Sequence, residues 1–272
     1  MSLFDDHGRR IPYSGMRVHS QVSRQYFRLN QPEVDCAAIW RRTVEHLQLP
    51  DPPVSAAQFC AASEAILDGL RRQSALANLI HAIHVPFLCP PVDDLRQLMQ
   101  AVGRSYTARF PQSDFLDLCP GRPDGHALPA PGSRYEKFGQ ARTGGYVAGV
   151  YFPNCLSEFD IDSQRRQMAT LPETLETGAG TATIVLSGPA DAAAALIGSP
   201  DLLWNEANYP HHLCLSAIQD PEDQVVYTFE AYGHNLRFRY RSNMLTPTVT
   251  QVSEQWAGGL TIFLAPPGRQ DG

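Results

Sequence analysis

Lysine is nearly missing from this chain: Lys137 is the only one, and arginine supplies every other cationic side chain among 22 basic residues. With abundant alanine, the bias reads as the imprint of a GC-rich coding sequence and not as selection for arginine's fork. An excess of positive charge is also missing. Against 28 acids the net charge is −6, which disfavours a non-specific nucleic-acid binder, since such a protein must displace counterions from phosphates, although a local basic patch stays open. Close cysteine spacing is absent as well. The six cysteines, at 36, 60, 89, 119, 155 and 214, include no Cys-x-x-Cys, so neither a disulfide framework nor a zinc ribbon is indicated and reduced thiols are expected. No window approaches the roughly 20 apolar residues of a membrane span, and the first fifteen residues hold no apolar signal core. The expected location is cytoplasmic, with neither membrane nor nucleic acid as partner.

At 272 residues the chain can bury a core without staples. Residues 1–32 read as an irregular arm in which Arg9, Arg10, Arg17, Arg24 and Arg28 alternate with Tyr13, Tyr26 and Phe27. Residues 33–110 carry a helical period. A first helix opens at Pro32-Glu33 with Val34, Ala37, Ala38, Trp40 and Leu47 on its apolar face. A second, capped by Ser55, runs on through Leu76, Leu79, Ile80 and Ile83 until Pro86 ends or kinks it, and a third starts near Val92 and carries Leu95, Leu98, Met99 and Val102. Residues 111–133 concentrate proline and glycine and form a connection. In 134–272, Tyr146–Phe152 and Thr181–Leu186 read as buried strands feeding helices at 158–171 and 189–198, and 211–265 is mostly strand. The expected fold class is α+β: an N-terminal helical layer, then a mixed, largely antiparallel sheet with two or three helices, the halves sharing one body.

A hairpin is expected where Val225–Tyr232 and Leu236–Arg241 flank Gly233-His234-Asn235. With His234 and Asn235 as the turn, Ala231 faces Phe238 and Phe229 faces Tyr240, while Glu230 faces Arg239 and Thr228 faces Arg241. Arg237, Arg239 and Arg241, with Tyr232 at the turn end, are the candidate binding residues. Glu230 stands where it neutralises the middle arginine, so a solvated sheet face competes with an anion-binding one.

The densest chemistry follows a strand end: Pro153-Asn-Cys-Leu-Ser-Glu-Phe-Asp-Ile-Asp162. Cys155 is a candidate nucleophile, with His211 or His212 as base and Asp160 or Glu158 assisting. Against it, the three acids Glu158, Asp160 and Asp162 raise a thiol pKa and suit the capping of the next helix. As a calcium loop the block lacks the later ligands and the turn glycine. His81 and His84 lie one helical turn apart with Cys89 beyond, yet nothing in the spacing supplies a complete ligand set. Ser187-Gly-Pro-Ala-Asp191 resembles a strand entering a helix through a phosphate turn, but Pro189 removes a donor and Asp191 would fill the helix end. No cofactor is indicated. Two expectations result: a binding or accessory protein with no chemistry of its own, whose partner is a protein or small molecule, or a hydrolase or transferase using Cys155.

Overall fold

Helix formation begins at Asp35, whose carboxylate accepts from the Ala38 amide at 3.0 Å and caps α1 (Cys36–Leu47). The buried side of α1 is Ile39 and Thr43, whereas Val34, expected on the apolar face, stays outside the helix and is 39% exposed. A reciprocal Ser55–Gln58 capping box starts α2 (Ala56–Arg72), which buries Phe59, Ile66, Gly69 and Leu70. The computed structural model describes residues 2–13, 29–52, 54–91, 95–120, 127–157, 159–204, 212–220, 225–232, 234–242 and 256–266.

The expected continuation of α2 to Ile83 does not form. The helix stops at Arg72, a short 3-10 turn follows at Ala77–His81, and the chain then extends into β1 (Val85–Cys89). Pro86 sits inside this strand because, among the described residues, β1 is the outermost member of its sheet and pairs with β4 (Val147–Phe152) on one side alone. An edge strand tolerates a residue without an N–H. The apolar spacing of Leu76 and Leu79 is thus burial of a turn, not of a helix face.

After α3 (Leu95–Arg109), the connecting region contains two short strands, β2 (Phe115–Asp117) and β3 (Leu128–Pro129). An unforeseen helix, α4 (Tyr135–Gly144), precedes β4. It buries only Tyr135 and Phe138, so no apolar stripe betrays it. Its start is held instead by Arg134, at φ 61°, whose guanidinium donates to the carbonyls of Met168, Leu171 and Pro172. The chain continues through α5 (Ile161–Gln167), β5 (Thr174–Thr177), β6 (Gly180–Leu186), α6 (Pro189–Gly198), β7 (His212–Cys214), β8 (Ile218–Gln219), β9 (Val225–Tyr232), β10 (Asn235–Ser242), β11 (Trp256–Gly258) and β12 (Leu260–Leu264).

The architecture is α+β, helices first and then sheets. One five-stranded sheet is antiparallel throughout, ordered β1-β4-β12-β6-β5; a second, mixed sheet is ordered β11-β7-β9-β10-β2; β3 and β8 form a two-stranded pair. On one face of the first sheet, Phe87 passes over Gly149 to meet Phe138 of α4 edge-on at 6.1 Å, and Phe138 meets Phe263 at 5.1 Å. On the other face, Leu88 packs with Ile39 of α1 and Phe59 of α2. Every residue of α6 is buried, and this alanine-rich helix lies among α1, α3, β1 and β4. One continuous core joins side chains from the N-terminal helices and both large sheets. Among the described residues, no helix is long and apolar enough to cross a membrane.

The β9–β10 hairpin forms, but its register differs from expectation by two. Tyr232 pairs with Asn235, so Asn235 belongs to the strand and His234 precedes it in the turn; Phe238 faces Phe229, Arg237 faces Glu230 and Arg239 faces Thr228. Asn235 is unavailable for the turn because its side-chain oxygen accepts from the Asp114 amide at 2.9 Å. His234 takes φ 72° and its carbonyl accepts from the Tyr106 hydroxyl at 2.7 Å. A slip of two keeps every side chain on its expected face.

Candidate functional site

The thiol of Cys155 is sealed. The residue is 0% exposed, and its Sγ donates to the Phe152 carbonyl at 3.5 Å. Burial pushes the thiol up to about 12, only partly offset by nearby backbone donors and the Arg10 guanidinium. No imidazole partners it among the described residues. These surroundings hold the proton on sulfur, the reverse of what a nucleophile requires. Asp160 caps α5, its carboxylate accepting from the Ser163 amide at 2.6 Å, and Asp162 follows in the first turn, exposed. Glu158 and His211 lie outside the described residues.

The second sheet brings together several of the residues singled out from sequence. Strand alternation puts His212 and Cys214 of β7, Thr228 and Glu230 of β9, and Arg237 and Arg239 of β10 on one face. The backbone register adds Arg241 to that face and puts Tyr232 at the turn; their side chains lie outside the described part. Phe229, Leu213 and Phe238 fill the opposite, core side. Glu230 is the centre of the polar face. It is 2% exposed, with one oxygen 3.3 Å from an Arg239 terminal nitrogen and the other 3.5 Å from His212 Nδ1. A buried carboxylate persists only with cationic or donor partners, and here it fixes the arginine next to it. The neutralisation of Arg239 by Glu230 is therefore present, across a diagonal and not between directly facing residues.

The pairing does not use the whole guanidinium. Among the described residues, the buried Arg239 Nε has no partner, and directly across the ladder the buried Thr228 Oγ1 has none either. Both groups belong to the same sheet face, and the Arg239 side chain is 37% exposed. Two adjacent unsatisfied polar groups beside a half-open arginine are a costly arrangement unless a ligand oxygen or water completes them. At the far end of the same face, Ile161 of α5 covers Cys214 and Val226, and Arg165 donates to the Ser216 and Ile218 carbonyls at 3.0 Å each.

A second polar cluster lies at the start of α6 and was not legible as a unit. Asp191 is fully buried and accepts from the Gly188 amide at 2.9 Å, the Tyr135 hydroxyl at 2.8 Å and the Thr261 hydroxyl. Ser187 Oγ adds a 3.0 Å contact to Thr261. Burial raises the Asp191 carboxyl to about 6, with Thr261, Tyr135 and Gly188 holding it from going further. Asp191 was expected to fill the helix end, and it does. Tyr135 and Thr261 come from distant strands and helices, so no spacing signals them. Gly188 is required for space: a Cβ there would stand 2.3 Å from the Tyr135 ring.

His84 serves local structure, and His81 ends the 3-10 turn. His84 Nδ1 lies 2.9 Å from the Ala82 carbonyl, and the His84 backbone exchanges two hydrogen bonds with the Gln31 amide. Cys89 is buried, its thiol pushed up to about 12 by desolvation. Among the described residues, no three His, Cys, Asp or Glu side chains are grouped to hold a metal ion. Comparison adds no relative by which to read these sites: the chain matches no protein-family model, no curated protein and no solved structure.

Proposed function

We propose that this is a cytoplasmic binding or accessory protein, without chemistry of its own, that recognises an anionic oxygen group on its protein or small-molecule partner through Arg239. The group is a carboxylate or a phosphate, and Thr228 completes the contact. The observation that carries this reading is the adjacent pair of buried donors, Arg239 Nε and Thr228 Oγ1, that have no partner among the described residues, on a face where Glu230 already orients the guanidinium. Arginine presents five N–H groups in a rigid fork. Glu230 takes the edge at one terminal nitrogen and leaves the Nε side for a second acceptor, the bidentate geometry favoured by carboxylate and phosphate. The partial neutralisation by Glu230 keeps the net attraction modest and makes geometry, not bulk charge, the source of selectivity.

Calorimetric titration with inorganic phosphate and with an acetylated tetraglutamate peptide tests this. Saturable binding of at least one probe is expected. Arg239→Leu should abolish it, and Arg239→Lys should weaken it on the order of tenfold, because lysine keeps the charge but loses the fork. If neither probe saturates the protein, or if Arg239→Leu binds as well as the parent while its circular dichroism is unchanged, the reading fails.

A further inference from the structure

A modification site of a different kind lies between the first two helices, independent of the arginine face. Cys36 is the first residue of α1 and Cys60 lies in α2. Both are free thiols and both are partly exposed, unlike the other four cysteines, which are buried. The Cys36 thiol is near enough to Cys60 for the two to interact electrostatically. Both also pack against the same small cluster of Ile39, Phe59 and Leu88, between helices that are already in contact. We infer that Cys36 and Cys60 are a redox pair that closes to a disulfide when the protein meets a peroxide, stapling the start of α1 to α2.

The chemistry needs two thiols, one peroxide and no further reagent. The Cys60 sulfur attacks one peroxide oxygen. The O–O bond breaks, the departing oxygen leaves as water with the thiol's proton, and Cys60 becomes a sulfenic acid. Cys36 sulfur then displaces the sulfenic hydroxyl, which leaves as a second water with the Cys36 proton, and the S–S bond forms. Two electrons pass from the sulfurs to the peroxide. The order follows from the surroundings of Cys36. Burial, the contact with Cys60 and the nearby Glu64 and Asp35 carboxylates push its thiol up to about 12, which keeps it protonated and outweighs its place at a helix start. Cys60 therefore attacks first and Cys36 resolves. Closure to an S–S distance of about 2.05 Å asks the side chains to turn while the helices stay packed.

The test uses the full-length reduced protein, treated with stoichiometric hydrogen peroxide, blocked with N-ethylmaleimide and digested with trypsin. The expected product is peptide 29–41 joined to peptide 43–71, two hydrogens lighter than their sum and separated by dithiothreitol. In Cys36→Ser, Cys60 should accumulate as a dimedone-trapped sulfenic acid. In Cys60→Ser, Cys36 should still take the maleimide. The oxidised parent should melt roughly 5–10 °C higher than the reduced one, as expected when a cross-link restricts the unfolded chain. If both thiols of the parent take maleimide after peroxide, or either is joined to a different cysteine, the inference is overturned.

Discussion

At the scale of single residues, Asp191 carries the clearest pH signature in the molecule. Its carboxyl is raised from 3.8 to about 6, with desolvation as the first cause. Between those values the folded chain holds a proton that the unfolded chain has released. Stability contributed by this group is therefore greatest below pH ~4, falls as pH rises through ~6 and is level above it. The size of the effect is on the order of 2–3 kcal/mol. Tyr135, whose hydroxyl is raised well above its ordinary value, remains a donor throughout. Urea unfolding at pH 4, 5, 6 and 7 should show the stability difference between the parent and Asp191→Asn shrinking with pH across that window. A difference that does not change with pH would place Asp191's titration elsewhere. Arg239 makes the contrasting case, since its neighbour Glu230 was recognisable from alternation alone while the unsatisfied Nε was not. Strand period tells which residues share a face, but which hydrogen bonds remain unmade depends on neighbours from other strands.

At the scale of elements, legibility followed the strength of the local signal. Capping and buried periodicity gave α2's start, α3 and α6 at the expected places, because Ser55, Leu98 and Pro189 act within their own helices. Elements made by tertiary context escaped. Pro86, expected to end or kink a helix, instead lies within β1, the end strand of its sheet, which β4 pairs on one side. The hairpin's existence was plain from Val225 to Arg241, yet its turn was decided by Asp114, whose amide claims Asn235. The Cys155 block stands out in sequence for its density of reactive groups, but linear order does not reveal that Arg10, Tyr151 and Phe152 lie around the thiol. The α1–α6 contact offers a test of element packing. Gly198 ends α6 so close to α1 that a Cβ would lie 2.6 Å from Ile39 Cγ2. Gly198→Ala should push the helices apart and cost about 1–3 kcal/mol, read as a lower urea midpoint with an unchanged slope. A midpoint equal to the parent's would mean that α1 shifts freely on α6.

At the scale of the whole molecule, the continuous core makes independent unfolding of an N-terminal helical part from a C-terminal sheet part unfavourable. Strand β1, made from the helical stretch of sequence, is hydrogen-bonded into the sheet built from the later one. Thermal unfolding followed by tryptophan fluorescence and by far-ultraviolet circular dichroism should therefore give coincident single transitions. Separated midpoints would show two units in place of one. The position of β12 has a further consequence for biogenesis. It lies between β4 and β6 in the sheet, yet it follows both in the chain by some distance. A nascent polypeptide leaving the ribosome thus exposes β4 and β6 with a vacant slot between them until residue 264 has emerged. The rate of folding is then governed by a high contact order. Until β12 arrives, the edges of β4 and β6 that it will cover lack their final partner and are exposed to pairing with other chains.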